Sequence, residues 1–332
     1  MTIMGMGDHA LAERLGFDPL EVGGQMVEAA QLARAHYPPL DPDRPALVVG
    51  LDGAAMAGEV RQKLLLQYPP EHEVKWLGAT GAAVASLAEL DRASMDDASA
   101  LYVPPLARPG WLASFAEIIA RLRAPDGCPW DREQTPQSLR RYLLEEAYEA
   151  LEAIDLNQPP RLKEELGDLL FQIVLQSQIA SEGGHFKLTD VIANIHAKIV
   201  RRHPHVFGDL PGATAREIEE NWEKIKRAEK EDGAGVASFF RDIPQGLPAL
   251  AEAEDMQQRA WRVNLWNDSD AEAGAQTAQA LGRWEEQHDS RALGEALFML
   301  VDQARRSGLD AESALREANR RFAASATAKP PV

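Results

Sequence analysis

The chain has 332 residues, enough for two or three domains with cores of their own. Its formal charge of −17, from 35 basic and 52 acidic side chains, argues against sequence-independent binding to nucleic-acid polymers or acidic membrane surfaces. Cys128 is the one cysteine, no run approaches about 18 uninterrupted apolar residues, and no basic flank precedes an apolar N-terminal stretch, so the expected location is the cytoplasm.

Residues 1–108 differ in texture from the rest. Leu11 to Phe17 and Val22 to Ala35 read as short helices, and Pro38 to Pro45 as a proline-rich connection. Ala46 to Leu51 reads as a buried strand, Ala54 to Tyr68 as a helix and Val74 to Ala79 as a second strand, which together predict a βαβ unit. The stretch Asp91 to Leu106 ends in a further strand pattern, ALYV, and PPLARPG reads as a linker. Trp111 to Leu122 then predicts an amphipathic helix leading into the loop APDGCPWDREQT, where Gly127 and Pro129 place Cys128 in a turn.

Two short acidic signatures follow on consecutive predicted helices. Glu146 and Glu149 form an ExxE; Glu165 and Asp168 form an ExxD. Positions three apart on a helix are neighbours at roughly 5–6 Å, so each signature aims its carboxylates in nearly the same direction. The break Asn157 to Pro160 lets the second helix fold back on the first, so that both pairs can face one another. Such a cluster repels itself without a cation, and oxygen ligands lacking His or Cys suit Mg²⁺ or Mn²⁺ rather than Zn²⁺. A solvated acidic face is the ordinary meaning of one ExxE on a helix. Here the second helix is apolar nearly all round, which predicts that Glu165 and Asp168 lie on a covered face. Glu145 and Glu152 point further out.

Thr189 to Arg202 predicts the next helix, with Asp190 as a cap candidate and the basic cluster Lys198, Arg201 and Arg202 at its end. His203 and His205, separated by Pro204 and without Cys partners, make a poor zinc site. Glu217 to Lys230 predicts a helix on which Trp222 and Lys226 share a face one turn apart.

The stretch Ile118 to Lys230 resembles the MazG family of nucleoside triphosphate pyrophosphohydrolases. The resemblance rests on ordered blocks: LRAPDGCPWDREQT at 122–135, LLEEAYEALEAI at 143–154, LKEELGDLLFQIV at 162–174, KIVRRHPHVFG at 198–208 and NWEKIKRAEK at 221–230. It implies an all-α catalytic domain over 109–235, a homodimer of intertwined helices, and Mg²⁺ held by Glu146, Glu149, Glu165 and Asp168. The implied reaction is hydrolysis of a nucleoside triphosphate to the monophosphate and pyrophosphate, the cation clamping phosphate oxygens and acidifying the attacking water. Basic groups after the acidic hairpin hold the triphosphate in this family, which points to Lys198 and then Arg201 and Arg202. Trp222 and Lys226 could serve base and phosphate, or simply form a surface helix. Trp130 either stacks on a base, as an aromatic face can with any purine or pyrimidine, or anchors its loop to the core. Glu145 could orient the water, although solvation is its simpler role.

Residues 44–74, with the LYVPPL junction, resemble the second half of tetrapyrrole methylases; without a GxGxxG or GKS motif in the chain, they imply a small α/β remnant over 1–108 rather than a methyltransferase. Residues 236–262 resemble the bridge between two MazG repeats. Over 263–332 a decayed second repeat is expected, since RALGEALFMLVDQA at 291–304 aligns with EELGDLLFQIVLQS at 164–177. Ala292 stands for Glu165 and Glu295 for Asp168; Arg321 stands for Lys198, with Ala324 and Ser325 in place of Arg201 and Arg202. The expected fold is therefore mainly α, preceded by a small α/β domain. Two rivals remain: a di-iron bundle, for which the ExxH of Glu182 to His185 is interrupted by Gly183 and Gly184, and a non-catalytic nucleotide sensor or scaffold.

Overall fold

The computed structural model describes residues 14–16, 23–78, 81–90, 100–208, 246–262, 264–266 and 268–327, with isolated positions 214, 217, 218, 221, 222, 225, 240, 243 and 244. Two compact units divide the chain, residues 1–198 and 199–332.

The first unit opens on a small sheet of order β1-β2-β5-β3-β4. Strand β1 (Gln25–Glu28) pairs in parallel with β2 (Ala46–Val49), and helix α1 (Ala29–Arg34) follows β1 directly. The segment expected as one helix, Val22 to Ala35, is thus a strand and then a helix. Met26 and Val27 find partners in Leu47 and Val48, and the ladder overrides a weak helical pattern. The helix expected at Leu11 to Phe17 lies outside the described residues except at positions 14–16.

Helix α2 (Gly53–Leu64) leads from β2 to β3 (Glu73–Gly78). The two strands of the expected βαβ unit are not neighbours, because β5 (Ala100–Val103) lies between them and is antiparallel to both. Strand β4 (Gly81–Ser86) pairs antiparallel with the whole of β3; its run of small residues, GAAVAS, carries no strong strand signal. All of β2 is buried, and Leu32, Val48, Val60, Leu64, Leu101 and Val103 share one core.

The rest of this unit is helical: α3 (Leu112–Arg123), α4 (Pro129–Glu133), α5 (Pro136–Asp155), α6 (Pro159–Glu182) and the greater part of α7 (Leu188–Arg202), whose last turn falls in the second unit. The stretch expected as a loop contains α4, started by Pro129 at its first position. Before it the chain turns so tightly that a Cβ on Gly127 would lie 2.3 Å from the Leu122 carbonyl oxygen, so only glycine fits. Thr135 and Ser138 make a reciprocal capping box at the start of α5. The turn into α6 passes through Asn157 at φ 49°, a left-handed conformation that asparagine tolerates, and Pro159 opens the second helix. Ile119, Leu139, Val174 and Leu175 form the core under the hairpin. Arg123 grips Glu182 through two nitrogens at 2.6–2.9 Å, tying α3 to the far end of α6; this guanidinium holds the Glu182 carboxyl below its ordinary range.

Helix α3 has no side-chain cap of its own; Asp43 supplies one from the α/β part. Its carboxylate accepts from the Gly110 and Trp111 amides at 2.7 and 3.2 Å. Burial pushes this carboxyl up, but the bonds from Ser114, Gly110 and Trp111 together outweigh burial and hold it below the ordinary range. Asp43→Ala is expected to cost about 1 kcal/mol, read as a lower urea midpoint with an unchanged slope.

The second unit contains α8 (Pro204–Phe207), α9 (Ala249–Arg262), α10 (Asp270–Gln287), α11 (Ser290–Arg306) and α12 (Ala311–Thr327). Ser269 and Glu272 cap α10 reciprocally, His288 turns the chain at φ 51°, and Asp289 caps α11. Ala280, Ala296 and Met299 pack with Trp266, Leu281 and Trp284. Asp302 on α11 is fully buried, its oxygens held by Arg305 at 2.5 Å and Arg306 at 2.7 Å.

The two hairpins share one surface property. Leu166, Leu170 and Ile173 are exposed along α6, and Leu293, Leu297 and Leu300, at the positions the internal alignment makes equivalent, are exposed along α11.

Candidate active site

The α5–α6 hairpin gathers the acids. Glu146, Glu165 and Asp168 each offer an oxygen, and the three oxygens lie within 4.8 Å of one another. The helical period explains it: Glu165 and Asp168 rise from adjacent turns of α6, and Glu146 meets them from α5. Glu165 is 8 % exposed, whereas Asp168 faces outward, so the covered face expected for both acids holds for Glu165 alone. Glu149, half-buried, stands outside this group, but its charge acts on Glu146. Burial pushes the Glu146 carboxyl above its ordinary range, and the charges of Asp168, Glu149, Glu165 and Glu145 add to the rise in that order. Glu145 is exposed and the weakest of these neighbours.

Arg161 was not singled out by the sequence. Its guanidinium bridges the hairpin, with Nη2 2.6 Å from Glu152 Oε2 and Nε donating to Glu165 Oε1 at 3.2 Å. Glu152, expected to point further out, is half-buried in this ion pair. The available signal was spacing: Arg161 lies four residues before Glu165, a helical ion-pair distance. Glu146 and Asp168 have no such cation among the described residues, so this oxygen-only donor set fits a hard divalent ion.

One turn below Glu146, Tyr142 takes a hydrogen bond from Arg141, whose guanidinium lies 4.4 Å from the ring centroid. Trp130, 49 % exposed, meets the same ring edge-on at 6.1 Å, so it neither disappears into the core nor stands alone. On α7, Asp190 accepts from the Lys187 amide at 2.8 Å, as a capping residue does, and Lys198 is half-buried. In the second unit Arg202 lies 5.4 Å from the Trp222 ring centroid, while His203 packs edge-on against the same ring at 4.9 Å; Arg201 is exposed. Lys226, most of the helix expected over Glu217 to Lys230 and much of the bridge over 236–248 lie outside the described residues. Among the described residues the second hairpin gathers no comparable carboxylates: Glu295, standing for Asp168, pairs with Arg283 at 3.1 Å and Arg291 at 3.2 Å.

A helical hairpin that gathers three carboxylate oxygens and no nitrogen or sulfur donor defines an all-helical protein with a candidate site for a hard cation. Residues 134–207 match the MazG nucleotide pyrophosphohydrolase domain. The chain is 43% identical over 213 residues to the nucleoside triphosphate pyrophosphohydrolase/pyrophosphatase MazG of Thermotoga maritima, covering 63% of this chain and 81% of that protein. It is 40% identical over 220 residues to the nucleoside triphosphate pyrophosphohydrolase of Escherichia coli K12, covering 62% and 81% respectively. To the uncharacterized protein YabN of Bacillus subtilis it is 38% identical over 254 residues, 74% of this chain, and it spans about half, 51%, of that relative's length. The chain belongs to the MazG nucleotide pyrophosphohydrolase family.

Proposed function

We propose that the chain hydrolyses nucleoside triphosphates between the α- and β-phosphates, water adding to the α-phosphorus and pyrophosphate leaving. Mg²⁺ is the proposed cation, with Mn²⁺ able to replace it. The observation that carries this reading is the set of three carboxylate oxygens within 4.8 Å on one helical hairpin. Glu146, Glu165 and Asp168 would hold the ion, with Glu149 as a fourth ligand from the next turn of α5. When bound, the ion neutralises phosphate charge, eases departure of pyrophosphate and acidifies the attacking water. Arg161 occupies one oxygen of Glu165 and leaves the other for ligation. Trp130 and Tyr142, one turn from Glu146, offer aromatic faces to the base. The family resemblance assigns Lys198, and after it Arg201 and Arg202, to the triphosphate; Trp222 and Lys226, one helical turn apart in sequence, are proposed for base and phosphate, and Glu145 orients the water or stays solvated.

The exposed apolar side chains along α6, together with the exposed Leu144 and Ile154 on α5, support a homodimer. The α/β part is proposed as a structural remnant of a methylase and the second hairpin as a packing or regulatory repeat, since arginines occupy the acid that remains there. No described helix is long and apolar enough to cross a membrane, which fits the proposed cytoplasmic location.

A nucleotide mixture with Mg²⁺, assayed for pyrophosphate, separates this enzyme from a non-catalytic nucleotide sensor: binding without release selects the sensor. Glu149→Gln is expected to lose at least about tenfold in rate. Unaltered turnover in that variant would remove Glu149 from the ligand set.

A further inference from the structure

Gln172 on α6 is 4 % exposed, and its Oε1 is buried without a hydrogen-bond partner. An amide placed in that way is costly in a core, and a leucine or methionine would fill the same volume without the desolvation. Its position gives the reason for keeping it. Gln172 follows Asp168 by four residues and Glu165 by seven, so all three rise from the same side of α6. Long side chains on a helix lean back towards its N-terminus, over the residue four positions earlier, and for Gln172 that residue is Asp168. The other helix agrees: Glu146 meets Asp168 across the hairpin, and one turn further from the acids on each strand of the hairpin stand Tyr142 and Gln172. The orphan amide therefore belongs to the residue one turn beyond Asp168, on the side of α6 that carries the acids. Asp168, for its part, has no donor of its own among the described residues, whereas Glu165 has Arg161.

We propose that Gln172 is a positioning residue for Asp168: its amide N–H donates to one carboxylate oxygen when a divalent cation draws the other inward. A rotation about the last side-chain bond exchanges the amide oxygen and nitrogen, so no movement of α6 is needed. The inference rests on the cation site proposed above, and it names the polar contact that fixes that site's outward-facing ligand. Carboxylate ligands are held in this manner by outer hydrogen bonds, whose loss weakens metal binding by about 10–100-fold.

The test uses the full chain, Mn²⁺ alone as the probe, and Gln172→Met. Without metal the variant is expected to melt at or above the temperature of the natural chain, because an unsatisfied buried amide has gone. With Mn²⁺ its calorimetric affinity is expected to fall about 10–100-fold. In pyrophosphate release, the metal concentration for half-maximal rate rises by the same factor while the rate at saturating metal stays within about threefold. Gln172→Leu repeats the measurement with a different shape. Equal Mn²⁺ affinity in the natural chain and either variant overturns the inference, and so does failure of both variants to fold, which would make the amide a structural need. Mn²⁺ binding that depends on Gln172 in a chain that releases no pyrophosphate leaves the inference standing and removes the hydrolase reading. A natural chain that binds no Mn²⁺ sinks both.

Discussion

Glu165→Gln is expected to slow pyrophosphate release by roughly a hundred- to a thousand-fold at saturating Mg²⁺, several kcal/mol of transition-state stabilisation. Glu165 is the most enclosed of the clustered acids and the one already tethered by Arg161. The amide keeps the size and an oxygen that Arg161 can still grip, so the hairpin should fold as before while the ligand loses its charge. Glu164→Gln, at the exposed neighbouring position, serves as the control and should behave like the natural chain. Initial rates at several Mg²⁺ concentrations, with circular dichroism to confirm helicity, decide the matter; a Glu165→Gln enzyme as fast as the control would dismiss this acid from the chemistry.

The second large effect concerns stability. Asp302→Ala leaves the Arg305 guanidinium, 13% exposed, without its carboxylate, and leaves Arg306, 12% exposed, only Asp270 at 3.2 Å and the Asp268 carbonyl at 2.9 Å. Breaking a buried ion pair from one side costs about 3–5 kcal/mol, enough to unfold a large share of the second unit at ordinary temperatures. Urea unfolding followed by tryptophan fluorescence will show it, because Trp266 and Trp284 sit in that core; a loss under about 1 kcal/mol would mean that water reaches the arginines. The pH dependence has a fixed sign. Burial pushes the Asp302 carboxyl up, but hydrogen bonds from Arg306 and Arg305 outweigh it and leave the group below its ordinary value of 3.8. Its contribution is therefore complete above that value and is lost as pH falls through the lower folded-state value, so natural and Asp302→Ala chains converge in strong acid.

The helical hairpin was legible in the sequence because each of its signals is local. Two prolines and an asparagine mark the turn, ExxE and ExxD mark two helix faces, and a helix period converts spacing into proximity. The sheet was only half legible. Strand β2 is hydrophobic throughout and announces itself, but the insertion of β5 between β2 and β3 is a long-range pairing that no local pattern encodes. Strands such as β1 and β4 exist because of their neighbours rather than their composition. At the candidate site, residue type and spacing pointed to Glu146, Glu149, Glu165 and Asp168, of which the hairpin brings oxygens of all but Glu149 together, yet could not rank Glu165 as enclosed and Asp168 as outward. That difference depends on what α5 and its loop cover. Arg161 and Gln172 escaped for a related reason: a basic residue near acids, or a glutamine in an apolar run, acquires meaning only when its partners, or their absence, are seen.

Asp43 lies in one sequence segment and secures the first turn of a helix that belongs to another. A protein cut at residue 109 to isolate the helical part would begin with that turn stripped of its acceptor, and α3 would fray where it meets the hairpin's core. The proline-rich linker thus marks a change in composition without marking a safe place for scissors.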